Sequence, residues 1–144
     1  RNQKNRDDLL RALADGAIQC LSSQHVPWGR ETEGQTFAQA PFGIAAVQWT
    51  LPLALRLVEE GSLDLLQMIR LLTTGPAAVL GLPPPSLAPG ANADLCLFDP
   101  DAELQPSATG FSRARNHPYA GWPLRGQVRY LFVGGRLRYC SAAG

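Results

Sequence analysis

The chain has 144 residues, 45% hydrophobic and 17% charged, with a net charge of +1. That is enough apolar material for one ordinary core, which excludes a disordered chain. No apolar run approaches the roughly 20 residues of a membrane helix, and the opening residues carry no signal-peptide pattern.

A chain that starts at Arg1 rather than Met is expected to be a piece of a longer protein. The three cysteines, Cys20, Cys96 and Cys140, are widely spaced and odd in number, so they make neither a zinc knuckle nor a full disulfide framework. A reducing, cytoplasmic compartment is the simplest setting.

In chain order, the first predicted element is a helix over 5–15. Asn5 caps it, Asp8 lies in its first turn, Leu9, Leu10 and Leu13 share a face, and Gly16 stops it. The apolar stretch 17–21 reads as a strand that ends at Ser22-Ser23-Gln24-His25. Residues 26–50 form a long loop rich in Gly, Pro, Gln and Thr, of the kind that compact domains keep for function or movement. Pro52 suits the first turn of a helix that reaches Glu60 and stops at Gly61. Ser62 then caps a helix in which Leu65, Ile69 and Leu72 share a face, and a short helix follows over 76–80.

The Pro-rich stretch 81–90 divides the chain into 1–80 and 81–144. Beyond it the pattern turns to strands. Residues 94–99 form one, and 127–133 with 136–140 form a hairpin around Gly134-Gly135. A two-residue turn there sets Tyr130 opposite Tyr139 and Phe132 opposite Leu137, giving one apolar face.

Helix, strand and helix alternate over 1–80, which is the grammar of an α/β barrel or a doubly wound sheet. A whole barrel takes about 250 residues, so 1–80 reads as the end of one, and 81–144 as part of a small β unit. No acid follows Glu103, while Arg113, Arg115, Arg125, Arg129, Arg136 and Arg138 do. These arginines are either a surface for an acidic partner or a solvated sheet face. Their irregular spacing, without interleaved aromatics, favours the second and argues against nucleic acid. Asp94 and Asp99 read as turn and cap residues, His117 as structural, and Trp28, Trp49 and Trp122 as core or interface. Ser22 and Ser23 lack the glycine elbow of a nucleophile.

Several stretches go beyond generic pattern. Pro89-Gly90-Ala91-Asn92-Ala93-Asp94-Leu95-Cys96-Leu97-Phe98-Asp99-Pro100 resembles the strand that returns to the β-sandwich of amidohydrolase-superfamily proteins. The run Asn116, Pro118, Tyr119, Gly121, Leu124, Gly126, Val128 and Val133-Gly134-Gly135 is similar to the C-terminal segment of dihydroorotases and hydantoinases. Leu72-Thr73-Thr74-Gly75-Pro76-Ala77-Ala78-Val79-Leu80-Gly81-Leu82 resembles the dihydroorotase family, as does Ala40-Pro41-Phe42-Gly43-Ile44 followed by Leu51-Pro52-Leu53. The resemblance covers nearly the whole chain in order. It implies the C-terminal end of a (β/α)8 metal-dependent hydrolase barrel over 1–80, followed by part of a small β-sandwich over 81–144.

Active dihydroorotases resemble Ser-Asp-His-Ala-Pro-His where this chain has Ser23-Gln24-His25-Val26-Pro27-Trp28. In the family that Asp is a zinc ligand and proton shuttle. The amide of Gln24 is no base near neutral pH and a weaker zinc ligand than a carboxylate. Trp28 replaces a ring that would bond substrate, and indole offers one donor and no acceptor. Gln48 stands where related proteins often carry Glu. No intact catalytic residue and no metal ligand is therefore expected from this segment, and Gln24 and Trp28 mark degenerate positions. His25, Ala40, Pro41 and Gly43 are a residual substrate loop. His25 is either a surviving metal or substrate contact or a local hydrogen-bonding residue, and the loss of the acidic neighbour favours the latter.

The resemblance thus implies a non-catalytic dihydroorotase-like protein, a structural partner of aspartate transcarbamoylase in pyrimidine synthesis, in a cytoplasmic oligomeric complex without nucleic acid or membrane. No cofactor is expected of the segment itself. The alternative is an active zinc-dependent cyclic amidohydrolase of dihydroorotase, hydantoinase or allantoinase type, with catalytic groups from another region. A third reading is a module that binds an acidic partner through the arginine-rich tail.

Overall fold

The computed structural model describes residues 2–29, 32, 34–104 and 111–141. Positions 30, 31 and 33 of the predicted 26–50 loop lie outside them. Four helices, α1 (Gln3–Ala14), α2 (Thr50–Glu59), α3 (Leu65–Leu72) and α4 (Thr74–Val79), precede three strands, β1 (Leu95–Leu104), β2 (Leu124–Val133) and β3 (Arg136–Cys140). Among the described residues no helix is long and apolar enough to cross a membrane.

α1 starts two residues before the predicted position because Asn2, not Asn5, caps it. The Asn2 side chain accepts from the Asn5 N–H at 3.1 Å, so Asp8 falls in the second turn. α1 has no buried residue. Leu13 reaches the core, and the Arg6 guanidinium donates to Glu60 at 2.9 Å.

The strand predicted over 17–21 forms no ladder among the described residues. A strand needs a neighbour, and this stretch lies along α3 and α4 instead. The Leu21 N–H donates to Leu71 O at 2.9 Å, and the backbone of Gly75 passes so close to the Gln19 carbonyl that a Cβ at 75 would overlap it.

α3 is capped by Asp64, not by Ser62. Asp64 accepts from the Gln67 N–H at 2.7 Å while Gln67 accepts from the Asp64 N–H at 2.8 Å. This reciprocal box satisfies two donors at once, whereas the Ser62 N–H is taken by Leu57 O. The buried stripe of α3 is Met68 and Leu71, with Ile69 and Leu72 beside it and Leu65 exposed. It is turned from the predicted face because Met68, with 0% exposure, is what meets Ala54 and Leu55 of α2.

The sheet is antiparallel in the order β1-β2-β3. Phe132 does sit opposite Leu137, but a bulge beside Leu131 sets Tyr130 opposite Cys140 and Leu131 opposite Tyr139. The predicted Tyr130–Tyr139 pair is thereby displaced, as one extra residue shifts all pairs beyond it. The inner face meets α2: Phe98 packs against the α2–α3 core and Gly126 abuts Leu55. Leu97, Tyr130 and Leu137 lie on the other face, 48%, 44% and 53% exposed, with Leu95 and Phe132 between them. The sheet is therefore apolar on both faces, not one.

Asp94 and Asp99 act as anchors. Asp94 accepts from the Gly134 N–H at 2.6 Å and steadies the β2–β3 turn. Asp99 accepts from Arg129 at 3.0 Å and from the N–H groups of Asp101 and Ala102. The Arg129 hydrogen bond, ahead of these backbone donors, holds the Asp99 carboxyl below the usual range.

Gly75→Ala should cost about 2 kcal/mol or more, because the new methyl meets backbone that has to move. Gly81→Ala, at φ +65 in open space, should cost only about 1 kcal/mol of backbone strain. Denaturant midpoints of the two variants compare them. The Glu60 carboxyl is held below its ordinary value by the hydrogen bond from Arg56 and then by Arg6. A lowered folded-state value contributes stability above the ordinary glutamate range and loses it as pH falls through the lowered one. Stability–pH curves of wild type and Glu60→Gln should therefore differ at neutral pH and converge in acid.

Candidate functional site

The residues singled out in the sequence gather where the 22–28 segment meets the end of the long loop. Gln24 is exposed and has φ +44, left-handed and unusual for a long side chain. Its N–H donates to the Ser22 hydroxyl at 3.3 Å. The kink turns the chain into His25, which pairs with Ile44 in a parallel bridge, and the Val26 N–H donates to Ile44 O at 2.9 Å.

His25 is a backbone cap. Its Nδ1 accepts from the N–H groups of Ala46 at 3.0 Å and Val47 at 3.2 Å, at the start of the short 3₁₀ turn Val47–Trp49 that leads into α2. Two donors on Nδ1 place the ring proton on Nε2. A protonated ring nitrogen can donate to a ligand but cannot hold a metal. Of the two readings of His25, the local hydrogen-bonding one matches this geometry.

Trp28 is half-buried and uses its polar groups locally. Its indole N–H donates to Phe42 O at 3.1 Å and its backbone N–H to Asn116 Oδ1 at 3.0 Å. The ring donor is thus spent on the loop. Gly43 lies beside Val26 with φ +122, and a Cβ there would overlap the Val26 side chain, so glycine is required. Ala40 and Pro41 lie on the same loop, where the Ala40 N–H donates to Thr36 O at 2.9 Å. His25, Trp28 and Gly43 are brought together directly, Ala40 and Pro41 one step along. The loop also carries Phe37 and Phe42, 98% and 95% exposed.

A zinc ion, which the resemblance implies for active members, does not fit the side chains that this segment supplies. Gln24 has a neutral amide and His25 is committed through Nδ1. Among the described residues no three His, Cys, Asp or Glu come together to hold a metal ion. Gln48 lies within the capped turn, and its Oε1 is buried with no hydrogen-bond partner among the described residues. An amide there costs less than an unpaired carboxylate would.

Asn116 is the residue that sequence reasoning missed. It donates from Nδ2 to Val26 O at 3.0 Å and Gly43 O at 3.2 Å, accepts from Trp28, and its own carbonyl accepts from the Ala45 N–H at 3.0 Å. The Asn-x-Pro-Tyr run announced it, but only the folded chain shows where its amide goes. Beside it, His117 lies 5.2 Å from the Trp49 ring and 6.0 Å from Tyr119, and Tyr119 meets Trp122 edge-on at 5.5 Å. Arg56 caps this row at 5.1 Å from Trp122. His117 and Trp49 pack against each other, while Trp122, 40% exposed, stacks at the surface between Tyr119 and Arg56.

Comparison with known proteins gives the family. The Amidohydrolase family model matches residues 1–138, and the chain belongs to that family. It is 42% identical over 137 residues to a dihydroorotase-like protein of Pseudomonas putida, covering 95% of this chain and 32% of that protein. It is 39% identical over 141 residues to a dihydroorotase of Syntrophotalea carbinolica, covering 96% and 33%. Among solved structures, D-hydantoinase from Bacillus sp. AR9 matches with TM-score 0.84 and 26% identity, over 95% of this chain and 32% of that one. The dihydropyrimidinase of Brevibacillus agri matches equally, with TM-score 0.84 and 26% identity over the same shares. The chain spans about a third of the length of the curated relatives it matches.

Gln24→Asn should be neutral or slightly stabilising, because Asn tolerates the left-handed region, whereas Gln24→Val should cost about 1–2 kcal/mol. Equal denaturation midpoints for the two variants would show that the kink is relaxed in solution.

Proposed function

We propose that this chain is the C-terminal part of a dihydroorotase-like protein that has lost catalysis and serves as a structural partner of aspartate transcarbamoylase. The observation that carries the reading is the state of the Ser23 to Trp28 turn. The backbone has an ordered kink, cap and clamp, while the position that would need a carboxylate holds the Gln24 amide. Trp28, in place of a substrate-binding histidine, spends its donor on Phe42. A fold kept without its acid–base group needs another use, and interaction is the simplest one. Two similar proteins, of Pseudomonas putida and Pseudomonas aeruginosa, are named dihydroorotase-like, which supports the reading. So do Phe37 and Phe42, whose exposure suits contact with another surface.

In this reading residues 1–80 are the closing units of a (β/α)8 barrel. The two-faced sheet of 81–144 belongs to a β-sandwich whose second layer covers Leu97, Tyr130 and Leu137. The protein works in the cytoplasm.

A second reading has its own support. Other similar proteins are named dihydroorotase, and the solved neighbours are hydantoinases and dihydropyrimidinases. It makes the full-length protein an active zinc-dependent cyclic amidohydrolase, with base and metal ligands supplied from outside this segment.

Dihydroorotate hydrolysis by the zinc-supplemented full-length protein separates the two. No turnover above background is expected, along with co-elution with aspartate transcarbamoylase on size-exclusion chromatography. Gln24→Asp with Trp28→His should not restore strong activity. Chelator-sensitive turnover in the wild type, or a large gain from the two substitutions, would overturn the scaffold reading in favour of the enzyme.

A further inference from the structure

The loop that carries the candidate site meets the 25–28 segment directly, through the Val26 N–H on Ile44 O and the Trp28 indole N–H on Phe42 O. It is also pinned there by one side chain that lies about ninety residues away in sequence. Each polar atom of the Asn116 amide is used: Oδ1 for the Trp28 N–H, and the two Nδ2 hydrogens for the carbonyls of Val26 and Gly43. The carbonyl of Asn116 takes the Ala45 N–H. The next two N–H groups, of Ala46 and Val47, go to His25 Nδ1. A continuous run of hydrogen bonds thus leads from Asn116 through residue 45 to the His25 ring.

We infer that Asn116 is a positioning residue. Its amide sets the register between segments 25–28 and 43–47, and through them the His25 tautomer and the orientation of Trp28. The assignment rests on reading those segments as the site, and it holds whether the site binds a small cyclic amide or a protein surface.

Asparagine is needed for its chemistry. An aspartate keeps the acceptor for Trp28 but sets negative charge against the carbonyls of Val26 and Gly43. A serine is shorter, and its one hydroxyl hydrogen replaces two amide hydrogens. Val26 is half-buried and Gly43 exposed, so losing these bonds loosens the loop without unfolding the α2–α3 core.

The test is made on the intact protein and reads loop geometry, so its outcome is independent of any activity or complex. In wild type, nitrogen-15 imidazole spectra should show His25 with Nδ1 unprotonated and Nε2 protonated, and the Trp28 amide should be protected from hydrogen exchange. In Asn116→Asp and Asn116→Ser the defined tautomer signature should be lost. The amides of Ala46 and Val47 should exchange about tenfold faster or more, while those of Met68 and Leu71 stay as they were. An unchanged His25 spectrum in a folded variant would overturn the inference. So would a Trp28 amide that exchanges freely in wild type, a result that stands even if both variants fail to fold.

Discussion

The Asn116 amide is the constraint on which the site depends. Three backbone groups, at Val26, Trp28 and Gly43, lie where no helix or ladder satisfies them, and one side chain takes all three. Half-buried backbone groups gain from being paired, so the C-terminal segment steadies the turn at 25–28 and the end of the loop. His25 then caps the turn into α2, and the row His117, Tyr119, Trp122 and Arg56 packs the same C-terminal segment over that helix.

Around that clamp, backbone shape and side-chain charge can be separated. The left-handed kink at Gln24, the glycine at 43 and the histidine cap are features of backbone shape. The side chains at Gln24, Gln48 and Trp28 are neutral, two amides and an indole.

The helices and the sheet share one core. Leu55 is its hinge, touching Met68 and Leu71 on one side and Gly126 of β2 on the other. The outer face of the sheet keeps Leu97, Tyr130 and Leu137 in reach of solvent.

Much of this was legible in the residues. The positions of α2, α3 and β3, the Gly134-Gly135 hairpin and the family followed from periodicity, turn chemistry and ordered motifs, all of them local signals. The neutral Gln24 could be read too, because side-chain chemistry is a property of the residue alone. What tertiary structure decided was pairing. The apolar stretch 17–21 became no ladder because a strand exists only against a neighbour. The caps at Asn2 and Asp64 displaced Asn5 and Ser62 because competing partners were settled by geometry. A bulge moved Tyr130 one register along. The role of Asn116 was hidden for the same reason: a hydrogen bond between residues so far apart in sequence belongs to no local pattern, and only the folded chain brings its partners within 3 Å.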